Sequence, residues 1–381
     1  MNGIEPSTWG HGDMLNVTDI MPSALRFIAG TDQSFHNLSM GAARQVVVWL
    51  VDGWGYDQVL TALEKHLMPH LSELMLHGAA RLHSLLSVFP SVTPVVLASV
   101  LTGKYPSAHG VLGQVVKHAG GIVDVMRGPV PNTFHLLVDD IATQALQAGI
   151  SYHAVVEHRL RKDSLTMLLH RNVSHIETFV VASGLPTVVN EILDRNEPGI
   201  IYVYWSGVDV LNHERGAYGL EWEAEMTSMD QWIAAFTQSA RNRAWLWITA
   251  DHGHIPIAGR LRYYDLRRTL SWLPEIPTQI GPAIAVDMEL PANFSSIVNN
   301  WASVPIDMVR TKDWWDKGYF GPGADIQHME RIGSYLLIPP AGWQWQITDE
   351  PQHPWGHGGT TQPEMTVPWI EVSLEGRRYV C

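Results

Sequence analysis

The chain reads as an α/β protein, a mostly parallel β-sheet sandwiched by helices, with a smaller α+β lobe inserted late. Three observations predict this class. Apolar runs rich in β-branched and aromatic residues at 46–51, 199–205 and 244–250 have strand length and no alternating polar face, as strands covered on both sides do. Between the second and third runs, Trp222, Met226, Met229, Ile233 and Phe236 recur at steps of three and four, the core-facing stripe of a helix. Strand, helix, strand in that order is a parallel crossover. From about 255 to 345 prolines, glycines and aromatic pairs such as Trp314 with Trp315 become frequent, and the crossover rhythm is lost.

In chain order, Val46 to Val51 forms the first buried strand, and Val59, Leu60, Leu63 and Leu67 follow at helical spacing. Thr93-Pro94 opens a second apolar stretch, Val95 to Leu101, with the start signal of a helix. The crossover unit spans 199–250, the lobe 255–345, and a last core strand returns at 367–373 (VPWIEVS). The predicted organisation is therefore a catalytic core over 1–254, an inserted lobe over 255–345 and the final part of the core over 346–381.

Length and composition narrow the function classes. With 381 residues, 46% hydrophobic and 17% charged, the chain has the size and balance of a compact protein with a large core. A net charge of -13 argues against a nucleic-acid scaffold, which carries a basic stripe. It does not argue against a phosphate substrate, because a pair of bound divalent cations would be the largest local charge and would reverse the field of an acidic site. The opening MNGIEPSTWGHGDM has neither a basic start nor an apolar stretch of signal-peptide length, and no apolar run reaches the roughly 18–20 residues that cross a bilayer. Cys381 is the only cysteine, so neither a disulfide framework nor a thiolate metal cluster is expected. A cytoplasmic enzyme fits these features, as does the mature form of a secreted one.

In open parallel sheets ligands gather at the carboxyl ends of strands. Asp52 follows the first strand, Asp209 lies shortly after the 199–205 run, and Asp251 ends the 244–250 run. A single aspartate in such a place ordinarily shapes a turn. Three of them, two accompanied by histidine, point instead to metal. Asp209 and His213 are one helical turn apart, Asp251 and His252 are adjacent in ITADHGH, and WGHGG at 355–359 adds a late histidine. Three carboxylates and three imidazoles suit divalent zinc, whereas calcium and magnesium prefer oxygen alone.

Thr93 is the candidate nucleophile. It reads as the N-cap of a helix with Pro94 in the first helical position. Capping alone would explain it, but a helix amino terminus also stabilises an alkoxide and an incoming phosphoryl group.

Taken together, Asp52, Thr93 within FPSVTPVVLASVLTGKYPSAHGVLG, Asp209 with His213, D-H-G at 251–253 and the H-G-G followed by PEMTVPWI resemble the alkaline phosphatase superfamily. Within it the nucleotide pyrophosphatase and phosphodiesterase branch is most similar. The resemblance runs from about residue 45 to the carboxyl terminus, and RIGSYLLIP at 331–339 is similar to a segment of bacterial members. It implies an alkaline phosphatase-like core and two divalent metal ions, zinc first, with manganese or iron as alternatives. One ion would be held by Asp52, Thr93, Asp251 and His252, the other by Asp209, His213 and His357. The H-G-G context selects His357 over His353, and leaves His353 and His254 as supporting or structural residues.

The same resemblance implies a two-step hydrolysis of a small phosphate ester or nucleotide through a phosphothreonine at Thr93. A diester or nucleotide pyrophosphate comes first as substrate, a phosphomonoester or phosphonate second, and a non-catalytic binding protein is the remote alternative. Sulfatases of the superfamily carry a modifiable Cys or Ser followed four residues on by arginine, where this chain has Thr93 and Leu97. Gln114 stands where the branch often has an asparagine that donates to a phosphoryl oxygen, so it is either that donor or a surface residue. Lys104, Tyr105 and His109 are expected to be structural, and Trp54 and Tyr56 to pack or, less commonly, to stack on a substrate ring.

Overall fold

The computed structural model describes residues 15–30, 44–240, 243–322, 325–349 and 353–373. Cys381 and the first fourteen residues of the opening segment lie outside them. The apolar runs form the middle of a seven-stranded sheet in the order Ala80–Leu86, Thr366–Ser373, Ala244–Thr249, Gln45–Val51, Gly199–Trp205, Ser151–Glu157, Ile176–Phe179. Gln45–Val51 pairs in parallel with Gly199–Trp205 on one side and Ala244–Thr249 on the other. Every residue of that central strand is buried, which is why its sequence shows no polar alternation. Thr366–Ser373 runs antiparallel to both of its neighbours. The class is therefore α/β with a mostly parallel sheet flanked by helices, as the sequence indicates.

The helix Leu220–Ser239 buries Trp222, Met226, Met229, Ile233 and Phe236, so its aromatic and methionine stripe is core. The helix after the first strand differs from its expected pattern. Tyr56–Glu64 ends before Leu67, buries Gln58, Val59 and Ala62, and leaves Leu60 38% exposed. The cause is Gln58, whose amide donates to Gly53 O at 3.0 Å and accepts from Trp222 Nε1 at 2.9 Å. A fully hydrogen-bonded glutamine takes the inward position and turns Leu60 to solvent.

A second, six-stranded sheet runs Asp307–Arg310, Tyr335–Ile338, Ala283–Val286, Thr278–Ile280, Val115–His118, Gly121–Asp124. Alternation along its strands sends side chains to two cores. Ala283, Ala285, Leu336 and Ile338 join the main cluster, while Ile284 and Leu337 join a smaller one with Leu261, Phe294 and Trp345. The smaller cluster also anchors Gly259–Arg262, which pairs in parallel with Trp343–Gln346. Residues from this sheet line the same cavity as Asp209 and His213, so the second layer forms a wall of the site described next. Among the described residues, no helix is long and apolar enough to cross a membrane.

Candidate metal centre

The parallel strands deliver their polar residues to one end of the sheet. Asp52 directly follows Gln45–Val51, Asp251 comes two residues after Ala244–Thr249, and Asp209 and His213 lie one turn apart on the helix Gly207–Arg215 that begins just beyond Gly199–Trp205. His357 follows the short strand Trp355–Gly356. Thr93 opens the helix Thr93–Thr102 and is not its N-cap, as the sequence suggested. Val92 takes that place in extended conformation, its carbonyl accepting from the Val95 and Val96 N–H groups at 3.0 Å each, with Pro94 second in the helix. With the cap supplied by Val92, the Thr93 hydroxyl is directed at His252 instead.

Two clusters of donors result. In the first, His252 Nε2 lies 3.4 Å from Asp52 Oδ1, 3.4 Å from Asp251 Oδ2 and 3.4 Å from Thr93 Oγ1. In the second, Asp209 Oδ1 lies 3.3 Å from His213 Nε2, 3.1 Å from His254 Nε2 and 3.6 Å from His357 Nε2, and the last two-histidine edge, His357 to His213, is 3.2 Å. Zinc bonds of about 2.0–2.1 Å in a tetrahedron separate neighbouring donors by about 3.3–3.4 Å. The spacings in both clusters are those of such an edge. The rings of His252 and His357 stack with centroids 3.5 Å apart, so the clusters are neighbours.

The atoms facing each centre are also the ones left over. Asp52 Oδ1, Asp251 Oδ2, Asp209 Oδ1 and His254 Nε2 are buried without a hydrogen-bond partner, an arrangement that costs free energy unless a cation takes it up. The other oxygens of Asp52 and Asp251 are occupied: Tyr204 donates to Asp52 Oδ2, and the backbone N–H groups of Gly53 and His252 donate to Asp251 Oδ1 at 3.0 and 2.9 Å. Each imidazole rests its Nδ1 against a backbone carbonyl, His213 on Trp355 at 3.0 Å, His252 on Gly253 at 3.2 Å, His254 on Gly53 at 3.2 Å and His357 on Ser91 at 2.9 Å. An Nδ1–H held in this way fixes the tautomer that offers Nε2 to a metal.

Electrostatics agree with that assignment at His252, His254 and His357, while at His213 burial is outweighed by Asp209 and the imidazole is raised. Burial, reinforced by the carboxylates of Asp251 and Asp209, pushes Asp52 well above the ordinary carboxylate range, and burial lifts Asp251 to about 7. Burial, then the neighbouring His254, holds His252 down at about 3, and burial with His252 holds His357 well down. Imidazoles that stay neutral keep their lone pairs, and carboxylates that resist ionisation are stabilised as anions by a cation. Asp209 is drawn well below the usual range because His213 and His254 outweigh the effect of its burial.

A cavity of about 340 Å³ opens onto the centre, lined by Thr93, Asp209, His213 and His357 and on its far side by Gln114, Arg127 and Arg260. A second, of about 170 Å³, shares Thr93 and Asp209 with it and reaches Asp52, Tyr204 and Arg159. Gln114 therefore faces the site, with its Oε1 accepting from Gly281 N–H at 3.0 Å. Trp54 is fully buried and packed. His109 is structural, bonded to Ser99 Oγ at 2.8 Å and to the Val111 N–H at 3.1 Å. His353 lies on the cavity wall, with Glu214 3.7 Å from its Nδ1.

Three residues at the site are not identified as such by the sequence. Tyr204 reads as part of a buried strand, although two tyrosines spaced i, i+2 put two hydroxyls on one face. Arg260 is one of the arginines at 260–262 that could hold extra phosphate charge, but nothing local places it in the cavity. His254 reads as a supporting residue, whereas the structure places it within the second cluster. The signal was present, since residues 252 and 254 in an extended segment point the same way.

Comparison with known proteins identifies the family and the fold. A profile of the type I phosphodiesterase / nucleotide pyrophosphatase family matches residues 46–363. No functionally curated protein matches by sequence. Among solved structures, phosphonoacetate hydrolase from Sinorhizobium meliloti 1021 in complex with phosphonoformate is similar at 20% identity and a TM-score of 0.65, over 89% of this chain and 91% of that one. Human ectonucleotide pyrophosphatase / phosphodiesterase 5 is similar at 14% identity and a TM-score of 0.65, over 85% and 87%. Its murine counterpart, an inactive variant in complex with AMP, is similar at 13% identity and a TM-score of 0.63, over 86% and 87%. At these identities the likeness is one of fold.

Proposed function

This chain belongs to the type I phosphodiesterase / nucleotide pyrophosphatase family, a group of metal-dependent phosphoester hydrolases, and from that premise we propose that it cleaves phosphodiesters or nucleotide pyrophosphates through a phosphothreonine at Thr93. The observation that carries the proposal is the position of Thr93 Oγ1, 3.4 Å from His252 Nε2, on the rim shared by both cavities. Asp52, Thr93, Asp251 and His252 would hold one divalent cation, and Asp209, His213 and His357 the other. Mixed carboxylate and imidazole donors favour zinc, with manganese or iron as substitutes. Two such ions would supply the positive charge that lowers the pKa of the Thr93 hydroxyl and of water and offsets charge developing on the leaving oxygen.

The residues divide the remaining work. Thr93 Oγ1 attacks phosphorus in line, forming the Oγ1–P bond as the P–O bond to the leaving group breaks, and the amino end of the helix Thr93–Thr102 stabilises the phosphoryl charge beside it. Water then attacks phosphorus, breaks the Oγ1–P bond and returns the hydroxyl to Thr93. Gln114, its Oε1 occupied by Gly281, presents its amide N–H groups for a phosphoryl oxygen. Tyr204 holds Asp52 in place through the oxygen that faces away from the cluster. Stacked His252 and His357 keep the two donor sets from sliding apart.

A second substrate reading has its own support. Arg260 and Arg127 line the cavity that holds Thr93, and a substrate with further negative charge, a phosphomonoester or a carboxylate-bearing phosphonate, would gain from them. Rates measured side by side on an aryl phosphodiester, a phosphomonoester, a sulfate ester and phosphonoacetate, with zinc and manganese varied, separate these readings. The diester is expected to be fastest. Absence of turnover on all four with either metal would remove the catalytic reading, and retention of full activity in Thr93→Ala would remove the nucleophile.

A further inference from the structure

The second donor cluster contains one imidazole more than the two-histidine set proposed above. We infer that His254 is a fourth direct ligand of the ion held by Asp209, His213 and His357. The inference rests on that ion being bound, and on four observations about His254 itself.

Its Nε2 lies 3.1 Å from Asp209 Oδ1, 0.1 Å short of the 3.2–3.6 Å spanned by the other edges of the cluster and near the roughly 3.3 Å edge of a zinc tetrahedron. Both atoms of this pair, His254 Nε2 and Asp209 Oδ1, are buried and satisfied by no hydrogen bond in good geometry, and their residues belong to a set of four whose ligand atoms lie within 4.8 Å of one another. Its Nδ1 rests on the Gly53 carbonyl at 3.2 Å, the arrangement that His213, His252 and His357 each show with a carbonyl of their own. Finally, its ring is 5.1 Å from that of His213 and 5.0 Å from that of His357, centroid to centroid, which matches the 5.1 Å between those two ligand rings. His353 has the 5.0 Å ring spacing to His213 and a backbone hydrogen bond to it, but stands outside the donor cluster.

A cluster of four protein donors differs in kind from its neighbour, where one of four donors is the reacting Thr93, and its ion would reach a substrate oxygen by expanding to five ligands. The ion at Asp209, His213, His254 and His357 would be the more tightly held of the two and the last to leave under a chelator. The rival arrangement uses the other tautomer: Nδ1 accepts from Asn212 Nδ2, 3.4 Å away, and Nε2–H donates to Asp209, making His254 an orienting group.

Cobalt(II) distinguishes the two, because a coordinated imidazole that keeps its Nδ1–H gives one hyperfine-shifted, solvent-exchangeable proton resonance. The full chain carrying two cobalt ions is expected to show four such resonances, and His254→Gln three, with affinity at one of the two sites lowered about 10-fold or more. Two bound ions with three resonances in the unaltered protein, and the same three in His254→Gln, would overturn the assignment and leave the two-metal reading standing. Failure to bind cobalt at all would overturn both.

Discussion

Gly53 offers the sharpest quantitative test of how the two donor clusters are held together. Its backbone sits at φ +73, its N–H donates to Asp251 Oδ1 at 3.0 Å, and its carbonyl accepts from Gln58 and lies 3.2 Å from His254 Nδ1. A Cβ at this position would lie 2.5 Å from His254 Cε1, 2.8 Å from Asp209 Cα and 2.9 Å from Asp209 Cβ. Gly53→Ala therefore adds two penalties. The left-handed backbone costs about 1–2 kcal/mol in a residue with a Cβ, and forcing a methyl into a packed, partly backbone contact costs about 1–3 kcal/mol more. Gly78 isolates the first penalty, having φ +67 and nothing within 4 Å of its added carbon. Urea unfolding of the metal-free proteins is expected to show Gly78→Ala destabilised by about 1–2 kcal/mol and Gly53→Ala by about 2–5 kcal/mol. Zinc titration should show weakened binding only in Gly53→Ala, because only there do His254 and Asp209 have to separate. If Gly53→Ala is no less stable than Gly78→Ala and binds zinc normally, the close packing of these residues around Gly53 is wrong.

Three further outcomes follow from the same geometry. Chelation should lower the melting temperature, since each ion present at 100 times its Kd contributes about 2.7 kcal/mol, and a melting curve unmoved by chelator and by added zinc would count against bound metal. Arg260→Ala should raise KM for a phosphomonoester more than for a diester, and an equal change for both would remove Arg260 from substrate selection. Glu371, buried on the strand Thr366–Ser373, is lifted by burial to about 7 against the pull of Arg81. A folded value above the unfolded 4.5 means the native state holds the extra proton, so stability from this group is full below about pH 4.5 and is lost as pH rises through 7. Glu371→Gln should abolish that decline, worth on the order of 3 kcal/mol between pH 5 and 8, and parallel denaturation midpoints of the two proteins across that range would exclude it.

The parts of the fold legible in the sequence are those where burial is uniform. Val46 to Val51, 199–205 and 244–250 announce themselves because both faces of the sheet are covered and nearly every position is apolar or aromatic, and their ends in turn identify Asp52, Asp209 and Asp251. Ser151–Glu157 and Ile176–Phe179 are hidden for the opposite reason: they lie toward the sheet edge, with mixed burial and polar residues interspersed among the apolar ones. Val115–His118 and Gly121–Asp124 are four residues each and join a sheet whose other members come more than 150 residues later, a pairing that local periodicity cannot express.

Position along the chain was easier to read than hydrogen-bond direction. Thr93 stands at the start of its helix as its sequence predicts, but the cap is Val92, which is extended and whose carbonyl takes the first N–H groups, a distinction of backbone conformation that residue type does not express. The same holds for His254. D-H-G-H places two imidazoles on one side of an extended segment, yet only the partner of each Nδ1 tells a ligand from a support. For His252 that partner is the carbonyl of Gly253, the next residue; for His254 it is the carbonyl of Gly53, two hundred and one positions away. A residue that depends on such a distant contact looks ordinary in sequence, and becomes chemically distinct only when the carboxyl ends of the strands before Asp52 and Asp251 are brought side by side by the parallel register of Gln45–Val51 with Ala244–Thr249.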